Sequence, residues 1–209
     1  MTPRGRFITL EGGEGAGKTT QAALLVAALE RQGRRVLRTR EPGGSPGAEL
    51  LRGLLLSGDV DWAPQAETLL HFAARAEHVA KTIRPALAAG DWVVCDRFYD
   101  STMAYQGDGQ GADRDFIAAQ IRLLGIAPDL TLVLDVPEPV AAERMRQRGL
   151  DPDRYERLDT GFHARVRAGF RAIAVAEPDR CVVLTASGTI DAVHDTIMRA
   201  ITDRLADRP

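Results

Sequence analysis

The sequence predicts an α/β fold, in which a parallel sheet of about five strands carries helices on both faces. Five short apolar runs, bounded by turn residues and mostly β-branched or leucine-rich, are typical of buried parallel strands: Phe7–Leu10, Val36–Leu37, Trp92–Cys95, Leu130–Val136 and Val182–Leu184. Longer helical stretches alternate with these runs, and strand–helix alternation on this scale indicates a sheet that is covered on both sides.

Helices are predicted over Thr19–Gln32, Ala48–Leu56, Ala66–Ala89, Asp113–Leu124, Glu138–Arg148, Phe162–Glu177 and Ile190–Leu205. Gly33 and Gly90 stand where two of these helices would end. No repeat or linker divides the sequence, so we expect a single domain over residues 1–209. The polar stretch Arg148–Thr160 is short of apolar anchors and is either a mobile flap or a solvated turn.

The composition excludes several classes of protein. The chain has 209 residues, 44% of them hydrophobic, and 27 basic against 29 acidic residues give a net charge of −2. This balance is too even for bulk binding to a polyanion, and the apolar fraction is too high for disorder. The longest purely apolar run, Ala22–Leu29, is too short to span a bilayer. The absence of a signal-peptide pattern and the presence of only two cysteines, Cys95 and Cys181, predict a cytoplasmic protein.

The segment Gly12–Thr19 reads GGEGAGKT and fits the pattern G-x-x-x-x-G-K-[ST] between a predicted strand and a predicted helix. Glycines allow successive backbone N–H groups to turn inward around phosphate oxygens, and the following helix directs its positive end at the same anion. Lys18 can reach the terminal phosphates and Thr19 can ligate Mg²⁺. The predicted nucleotide-binding residues are Gly12, Gly13, Glu14, Gly15, Ala16, Gly17, Lys18, Thr19 and Thr20.

Among proteins with such a phosphate-binding loop, a small kinase is favoured. A GTPase needs an Asn-Lys-x-Asp motif, and this chain contains no asparagine. Asp96 ends a predicted strand and is followed by Arg97, so the pair can hold Mg²⁺ and bridge the donor and acceptor phosphates. Asp135 also ends a strand and is an alternative, but the adjacent arginine favours Asp96. The predicted magnesium ligands are therefore Thr19 and Asp96.

Five segments resemble thymidylate kinase of the bacterial type, in order and over nearly the whole chain: Glu11–Thr20 (EGGEGAGKTT), Arg40–Gly44 (REPGG), Phe72–Val79 (FAARAEHV), Asp96–Gly107 (DRFYDSTMAYQG) and Pro128–Val136 (PDLTLVLDV). The resemblance implies a P-loop NTPase fold, transfer of a phosphoryl group from ATP to dTMP in deoxythymidine nucleotide biosynthesis, and a homodimer. Another nucleoside monophosphate kinase is the nearer alternative. A non-catalytic ATP-dependent switch is the more distant one, since a switch has no use for acceptor-side residues.

The resemblance also implies roles for individual residues. Glu14 accepts a hydrogen bond from the 3′-hydroxyl of dTMP, Arg97 binds the acceptor phosphate, and Arg75 donates to a thymine carbonyl with the planar geometry of a guanidinium. The ring of Tyr105 lies against C2′ of the sugar and excludes a ribose hydroxyl. The other predicted substrate-binding residues are Arg52, Ser101, Thr102 and Gln106.

One position departs from the family pattern. The residue four before Arg75, usually a phenylalanine stacked on thymine, is His71, and Phe72 follows it. Either the imidazole stacks on the base, or a small helix rotation presents Phe72, or Phe72 belongs to the core and His71 merely lines the pocket. We expect a weaker or pH-sensitive grip on the base.

A lid is predicted over residues 143–160. Family members whose glycine loop lacks an arginine supply one from the lid, and the loop of this chain has none. A phosphoryl group in transfer spreads negative charge over its oxygens, so a cation besides Lys18 is needed. Arg148 and Arg154 are the first candidates, followed by Arg144 and Arg146. The predicted catalytic residues are thus Lys18, Arg97, Arg148 and Arg154.

Overall fold

The computed structural model describes residues 5–149 and 154–205. Five strands form one parallel sheet in the order β2-β3-β1-β4-β5, where β1 is Phe7–Glu11, β2 is Val36–Arg40, β3 is Trp92–Asp96, β4 is Leu130–Asp135 and β5 is Cys181–Thr185. Each strand lies where the sequence predicts one. From β1 the chain first forms β2 and β3 on one side of this strand, and it later forms β4 and β5 on the other side. In such a sheet, the carboxyl ends of the central strands border a crevice.

The helices are α1 Lys18–Arg31, α2 Pro46–Leu56, α3 Pro64–His78, α4 Arg84–Ala88, α5 Tyr99–Thr102, α6 Arg114–Leu124, α7 Glu138–Arg148, α8 Thr160–Ala176 and α9 Ile190–Leu205. A π-helical segment, Val79–Ile83, joins α3 to α4, and a second, Met103–Gly109, continues α5. The predicted helix over Ala66–Ala89 is therefore three consecutive pieces. The helical turn after β3 is absent from the sequence prediction.

Alternate residues of the central strands pack against opposite helical layers, as parallel strands require. On one face Ile8 and Leu10 of β1 pack with α1 and α9. On the other face Phe7 packs with Val79 and Ile83. The α/β prediction, with helices on both faces of a five-stranded sheet, is confirmed.

The prediction that every strand is buried is wrong for the two edge strands. Val36 and Leu37 of β2 are half-buried, and Val183 of β5 is 41% exposed. An edge strand has a neighbour on one side only, so less helical cover reaches its side chains.

The predicted lid is helical as far as Arg148, and its residues 150–153 lie outside the described part of the chain. The prediction that this stretch is short of apolar anchors is corrected by Tyr155, which is buried in a cluster with Tyr105 and Phe162. Within the described ranges, none of the helices combines the length and apolar character that a membrane span needs.

Candidate active site

The glycine loop follows β1 and leads into α1, and its backbone fits closely against neighbouring elements. A Cβ atom added at Gly12 would lie 2.4 Å from the Leu134 carbonyl oxygen, and one added at Gly15 would lie 2.5 Å from that of Ala141. Gly15 also has a φ of +69°, so glycine is required there for space and for backbone geometry. The loop amides are thereby kept clear for an anion.

Lys18 lies folded onto this loop. Its ammonium group donates to the carbonyl oxygens of Gly12 at 3.0 Å and Gly13 at 2.7 Å. Burial and the nearby Arg97 lower the pKa of Lys18. These two contacts are weak competitors for a phosphate, which offers a full negative charge to the same ammonium group.

A cavity of about 630 Å³ lies at the carboxyl edge of the sheet. It brings together most of the predicted site: Glu14, Gly15, Ala16, Gly17, Lys18, Thr19, Thr20, Arg52, His71, Arg75, Asp96, Arg97, Ser101, Thr102, Tyr105, Gln106 and Arg148. Four predicted residues do not line it. Gly12 and Gly13 line a second cavity of about 440 Å³, and Phe72 and Arg154 line neither of the two.

Arg97 connects the glycine loop to the helical segment that follows β3. Its guanidinium donates to the Gly12 carbonyl at 2.9 Å, to Ser101 at 3.1 Å, to Glu14 at 2.6 Å and to the Tyr105 hydroxyl at 2.9 Å. Arg97 has a φ of +69°, a strained conformation for a residue other than glycine, and strain of this kind concentrates at functional sites.

Glu14 is held ionised beside Arg97. Burial raises its pKa, but the charges of Arg97 and Lys18 outweigh burial and lower the pKa to about 2. The Tyr105 hydroxyl donates to the same carboxylate at 2.8 Å. An ionised carboxylate next to a fixed guanidinium can accept a hydrogen bond from a substrate hydroxyl while the guanidinium binds an anion.

Arg75 is buried, and three neighbours hold its guanidinium. Nε donates to Glu41 at 2.7 Å, and Nη2 donates to the Phe98 carbonyl and to Thr102, each at 3.1 Å. Nη1 is buried and has no hydrogen-bond partner within residues 5–149 and 154–205. A buried donor without a partner is costly, so a ligand carbonyl at this point would gain a strong, pre-oriented hydrogen bond.

Of the two candidates for base contact, His71 lines the cavity. Its Nε2 lies 3.0 Å from the Tyr155 hydroxyl. Phe72 packs beneath the Arg75 guanidinium, whose Cζ atom lies 4.8 Å from the centroid of the Phe72 ring. Burial, and then the charge of Arg75, lower the pKa of His71 to about 3. The imidazole is therefore neutral from pH 5.5 to 8. This goes against the expectation that ionisation of His71 makes binding of the base pH-sensitive.

The two candidate magnesium carboxylates differ in their surroundings. The Thr19 hydroxyl donates to Asp96 at 2.6 Å, directly beside the glycine loop. Asp135 instead accepts hydrogen bonds from Arg167 at 2.6 and 2.9 Å and from Arg171 at 2.5 Å. Oxygen donors such as those of Thr19 and Asp96 suit Mg²⁺, which is commonly held by one or two protein oxygens together with phosphates and water. Across residues 5–149 and 154–205 there is no cluster of three or more acidic, histidine or cysteine ligands.

The lid arginines separate into two groups. Arg148 lines the cavity and pairs with Glu156 at 2.5 Å, and Arg144 reaches the carbonyl oxygens of Gly15 and Gly188 at 3.4 and 3.2 Å. Arg154 instead pairs with the buried Glu67 at 2.6 Å, and Arg146 is an exposed residue paired with Glu143. Of these four arginines, Arg148 and Arg144 are thus the two that line the cavity.

Three residues that contact the site are missing from the sequence prediction. Glu41 holds Arg75, and both Glu67 and Tyr155 contact residues that line the base end of the cavity. Two signals were available in the sequence. Glu41 is part of the REPGG segment, and Tyr155 is the one aromatic residue in an otherwise polar stretch.

Comparison with known proteins agrees with this geometry. The sequence model of the thymidylate kinase family matches residues 10–197. The chain belongs to the thymidylate kinase family. Thymidylate kinases of Gluconobacter oxydans and Rhizorhabdus wittichii are each 52% identical to it, over 98% and 96% of this chain and 98% and 99% of their own lengths. The crystal structure of the Ehrlichia chaffeensis member has a TM-score of 0.80 and 37% identity, covering 96% of this chain and 99% of that one. Membership in this family confirms the predicted resemblance and the P-loop NTPase fold.

Proposed function

We propose that the protein transfers the γ-phosphoryl group of ATP to dTMP, giving dTDP and ADP for deoxythymidine nucleotide biosynthesis. The observation that carries the proposal is the position of Arg97, whose guanidinium is hydrogen-bonded both to the glycine loop and to Tyr105 of the acceptor side. One cation thus spans the donor and acceptor ends of a single cavity. Family membership identifies the nucleotides that bind at these two ends.

On the donor side, the glycine-loop amides and the N-terminus of α1 bind the phosphates of ATP. Lys18 exchanges the Gly12 and Gly13 carbonyls for phosphate oxygens. Arg148 supplies the additional positive charge that the transferred group needs, since its side chain lines the cavity. Arg144 steadies the glycine loop through Gly15.

On the acceptor side, Arg97 binds the phosphate of dTMP and Glu14 accepts from the 3′-hydroxyl. The ring of Tyr105 occupies the space that a ribose 2′-hydroxyl would need. The unpartnered Nη1 of Arg75 donates to a carbonyl of the base. His71, Thr102, Gln106 and Arg52 complete the wall around the nucleoside.

The Thr19 hydroxyl and the Asp96 carboxylate are the protein oxygens that would hold Mg²⁺. Bound there, the ion would supply positive charge to the phosphate oxygens of ATP. Thr19 and Asp96 fit this role because their hard oxygen donors, at the start of α1 and the end of β3, lie 2.6 Å apart. Asp135 is already paired with Arg167 and Arg171, which makes it the weaker candidate for this role.

The chain acts as a single domain, with a lid over residues 143–160, and forms a homodimer in the cytoplasm. Support for the homodimer comes from exposed leucines on three neighbouring helices: Leu50 and Leu54 on α2, Leu69 on α3 and Leu123 on α6. Helix α3 packs against both α2 and α6. Support for a reducing compartment comes from Cys95 and Cys181, both free thiols.

An ADP-release assay with ATP and Mg²⁺ tests the function, with dTMP, dUMP, UMP, dCMP and AMP offered separately. We expect strong turnover with dTMP, weaker turnover with dUMP and negligible turnover with UMP. The variant Lys18→Ala is the inactive control. Preference for another monophosphate would reassign the acceptor, and ATP binding without acceptor-dependent turnover would point to a switch protein.

A further inference from the structure

Tyr155 belongs to the lid segment that returns to the body of the protein, yet its side chain lies at the base end of the cavity. It is 6% exposed, and its ring meets that of Tyr105 edge-on at 5.6 Å between centroids. Within the described residues, the hydroxyl lies within hydrogen-bond distance of Glu67 Oε1 at 2.7 Å, Gln106 Nε2 at 3.1 Å and His71 Nε2 at 3.0 Å.

The hydrogens in this cluster can be assigned by counting donors and acceptors. A phenol has one hydrogen and two lone pairs. The hydrogen points to Glu67, because two oxygens 2.7 Å apart would repel each other without it and the carboxylate paired with Arg154 only accepts. The Gln106 amide nitrogen only donates, so it takes one lone pair. The remaining lone pair faces His71 Nε2, which must therefore carry a hydrogen.

A neutral imidazole with a hydrogen on Nε2 has none on Nδ1. No hydrogen bond to Nδ1 of His71 occurs in the parts of the chain that the structure describes. The ring also lines the cavity. His71 thus contributes to the cavity wall an uncharged ring with an acceptor nitrogen at Nδ1, and its Nε2 is fixed by the Tyr155 hydroxyl.

We infer that Tyr155 is a positioning residue of the acceptor site, whose hydroxyl holds His71 in the neutral Nε2–H tautomer and ties the lid to the wall that contacts the base. The inference deepens the proposed function and rests on it for the identity of the base. His71 stands where the family usually has phenylalanine, and it pairs with a lid tyrosine that is 84 residues away in the sequence. The inference assigns a role to this pairing.

The charges around His71 favour the same state. Among the charged groups that act most strongly on His71, the guanidinium groups of Arg75, Arg97 and Arg154 disfavour its protonation and the carboxylate of Glu67 favours it. Arg154 neutralises that carboxylate through its ion pair at 2.6 Å. A second proton on the ring, at Nδ1, would therefore add a positive charge to already positive surroundings and would gain no hydrogen-bond partner in the described residues.

Nitrogen-15 NMR of the full chain, labelled at histidine, tests the tautomer directly. The chain has only four histidines, and the His71 signals are assigned as those missing from His71→Asn. We expect the neutral Nε2–H pattern, unchanged between pH 5.5 and 8. A signal that titrates in this range, or an Nδ1–H pattern, would overturn the inference. This readout is independent of turnover, so it can fail while the kinase activity stands, or stand while the activity fails.

Steady-state kinetics test the positioning role. Tyr155→Phe removes one hydroxyl, and we expect the KM for dTMP to rise roughly 3- to 10-fold, the usual range for one lost hydrogen bond. The kcat stays within about twofold, because Arg148 has its own anchor in Glu156. The matched control is Tyr99→Phe, since the Tyr99 side chain is buried outside the cavity and its hydroxyl has no hydrogen bond in the described ranges.

A double-mutant cycle distinguishes positioning from a general loss of packing. If Tyr155 acts through His71, Tyr155→Phe has a clearly smaller effect on the KM in a His71→Phe background. Equal effects in the two backgrounds, or the same KM for Tyr155→Phe and Tyr99→Phe, would contradict the inference.

Discussion

Arg75 and Glu41 form a buried ion pair, with 2.7 Å between Nε and Oε2, although 34 residues separate them in the chain. The other carboxylate oxygen of Glu41 lies 2.9 Å from Nδ1 of His78, whose Nε2 lies 2.7 Å from the Thr39 hydroxyl. The Arg75 guanidinium is therefore fixed by a chain of buried polar groups. Its unpartnered Nη1 is presented at a defined position, which is a requirement for reading a base edge.

Arg75→Lys tests this arrangement. Lysine keeps the positive charge but cannot satisfy Glu41, the Phe98 carbonyl and Thr102 together while leaving a donor for the base. We expect the KM for dTMP to rise roughly 10- to 100-fold, the equivalent of one hydrogen bond to a charged group, with a smaller change in kcat. Initial rates at varied dTMP measure both constants.

The matched control is Arg84→Lys. Arg84 follows Arg75 along the same helical stretch but donates to the Leu124 and Gly125 carbonyls, away from the cavity. Its KM for dTMP is expected to equal that of the unsubstituted protein. If both lysine variants had the same KM, Arg75 would have no part in base recognition.

The sequence was sufficient for the strands and the glycine loop because both depend on local patterns. The helical turn Tyr99–Thr102 and its π-helical continuation were missed for a physical reason. Their buried positions include Asp100, Thr102 and Gln106, whose polar groups are satisfied by Arg180, Arg75 and Glu67 from distant parts of the chain. Polar residues at buried positions remove the hydrophobic period on which sequence-based helix prediction relies.

The partners of site residues were unpredictable for a related reason. The arginines are so numerous that composition does not separate Arg148, which lines the cavity, from Arg154, which pairs with Glu67. The sequence placed both in the predicted lid. Only the folded chain brings residue 154 next to residue 67, whereas Arg148, at the end of helix α7, lines the cavity.

Arg148→Ala separates the lid arginines by function. We expect kcat to fall at least about 100-fold, as for other arginines that stabilise a phosphoryl group in transfer. Arg146→Ala is the control, since Arg146 is 78% exposed and does not line the cavity. Single-turnover measurement of ADP formation checks the chemical step. Near-normal turnover of Arg148→Ala would exclude it from the transition state.

Arg154→Ala is expected to behave differently from Arg148→Ala. It removes the cation beside Glu67, which is 1% exposed and keeps only neutral donors such as Tyr155 and Gln106. We expect the free energy of unfolding to fall by about 2 kcal/mol and kcat to change little. Urea unfolding and initial rates measure the two effects. A large loss of kcat without loss of stability would instead indicate a catalytic role for Arg154.

Asp96→Asn and Asp135→Asn test the assignment of the magnesium site. Asp96 lies beside Thr19, so its amide variant is expected to need roughly tenfold more Mg²⁺ for half-maximal activity. In Asp135→Asn the expected change is a lower urea midpoint, because its ion pairs with Arg167 and Arg171 are lost. The Mg²⁺ requirement of this variant is expected to be unchanged. If Asp135→Asn instead raised the Mg²⁺ requirement and Asp96→Asn did not, the metal would be assigned to Asp135.

His71 makes the stability of the fold depend on pH in a defined window. Its pKa is about 3 in the folded chain, because of burial and the charge of Arg75, against an ordinary value of 6.5. Between these values the unfolded chain binds a proton that the folded chain does not. Stability is therefore lost as pH falls below about 6.5, and it is independent of His71 above that point.

His71→Phe removes this proton while leaving every other titrating group in place. Relative to His71→Phe, the unsubstituted protein is expected to lose about 1 kcal/mol of unfolding free energy between pH 7.5 and pH 5.5. Urea unfolding of both proteins at the two pH values measures the difference, and comparison with the variant cancels the contributions of the carboxylates. Parallel pH dependences would mean that His71 titrates alike in the folded and unfolded chains, so that the Tyr155 hydroxyl and the three arginine charges that act on it do not keep it neutral.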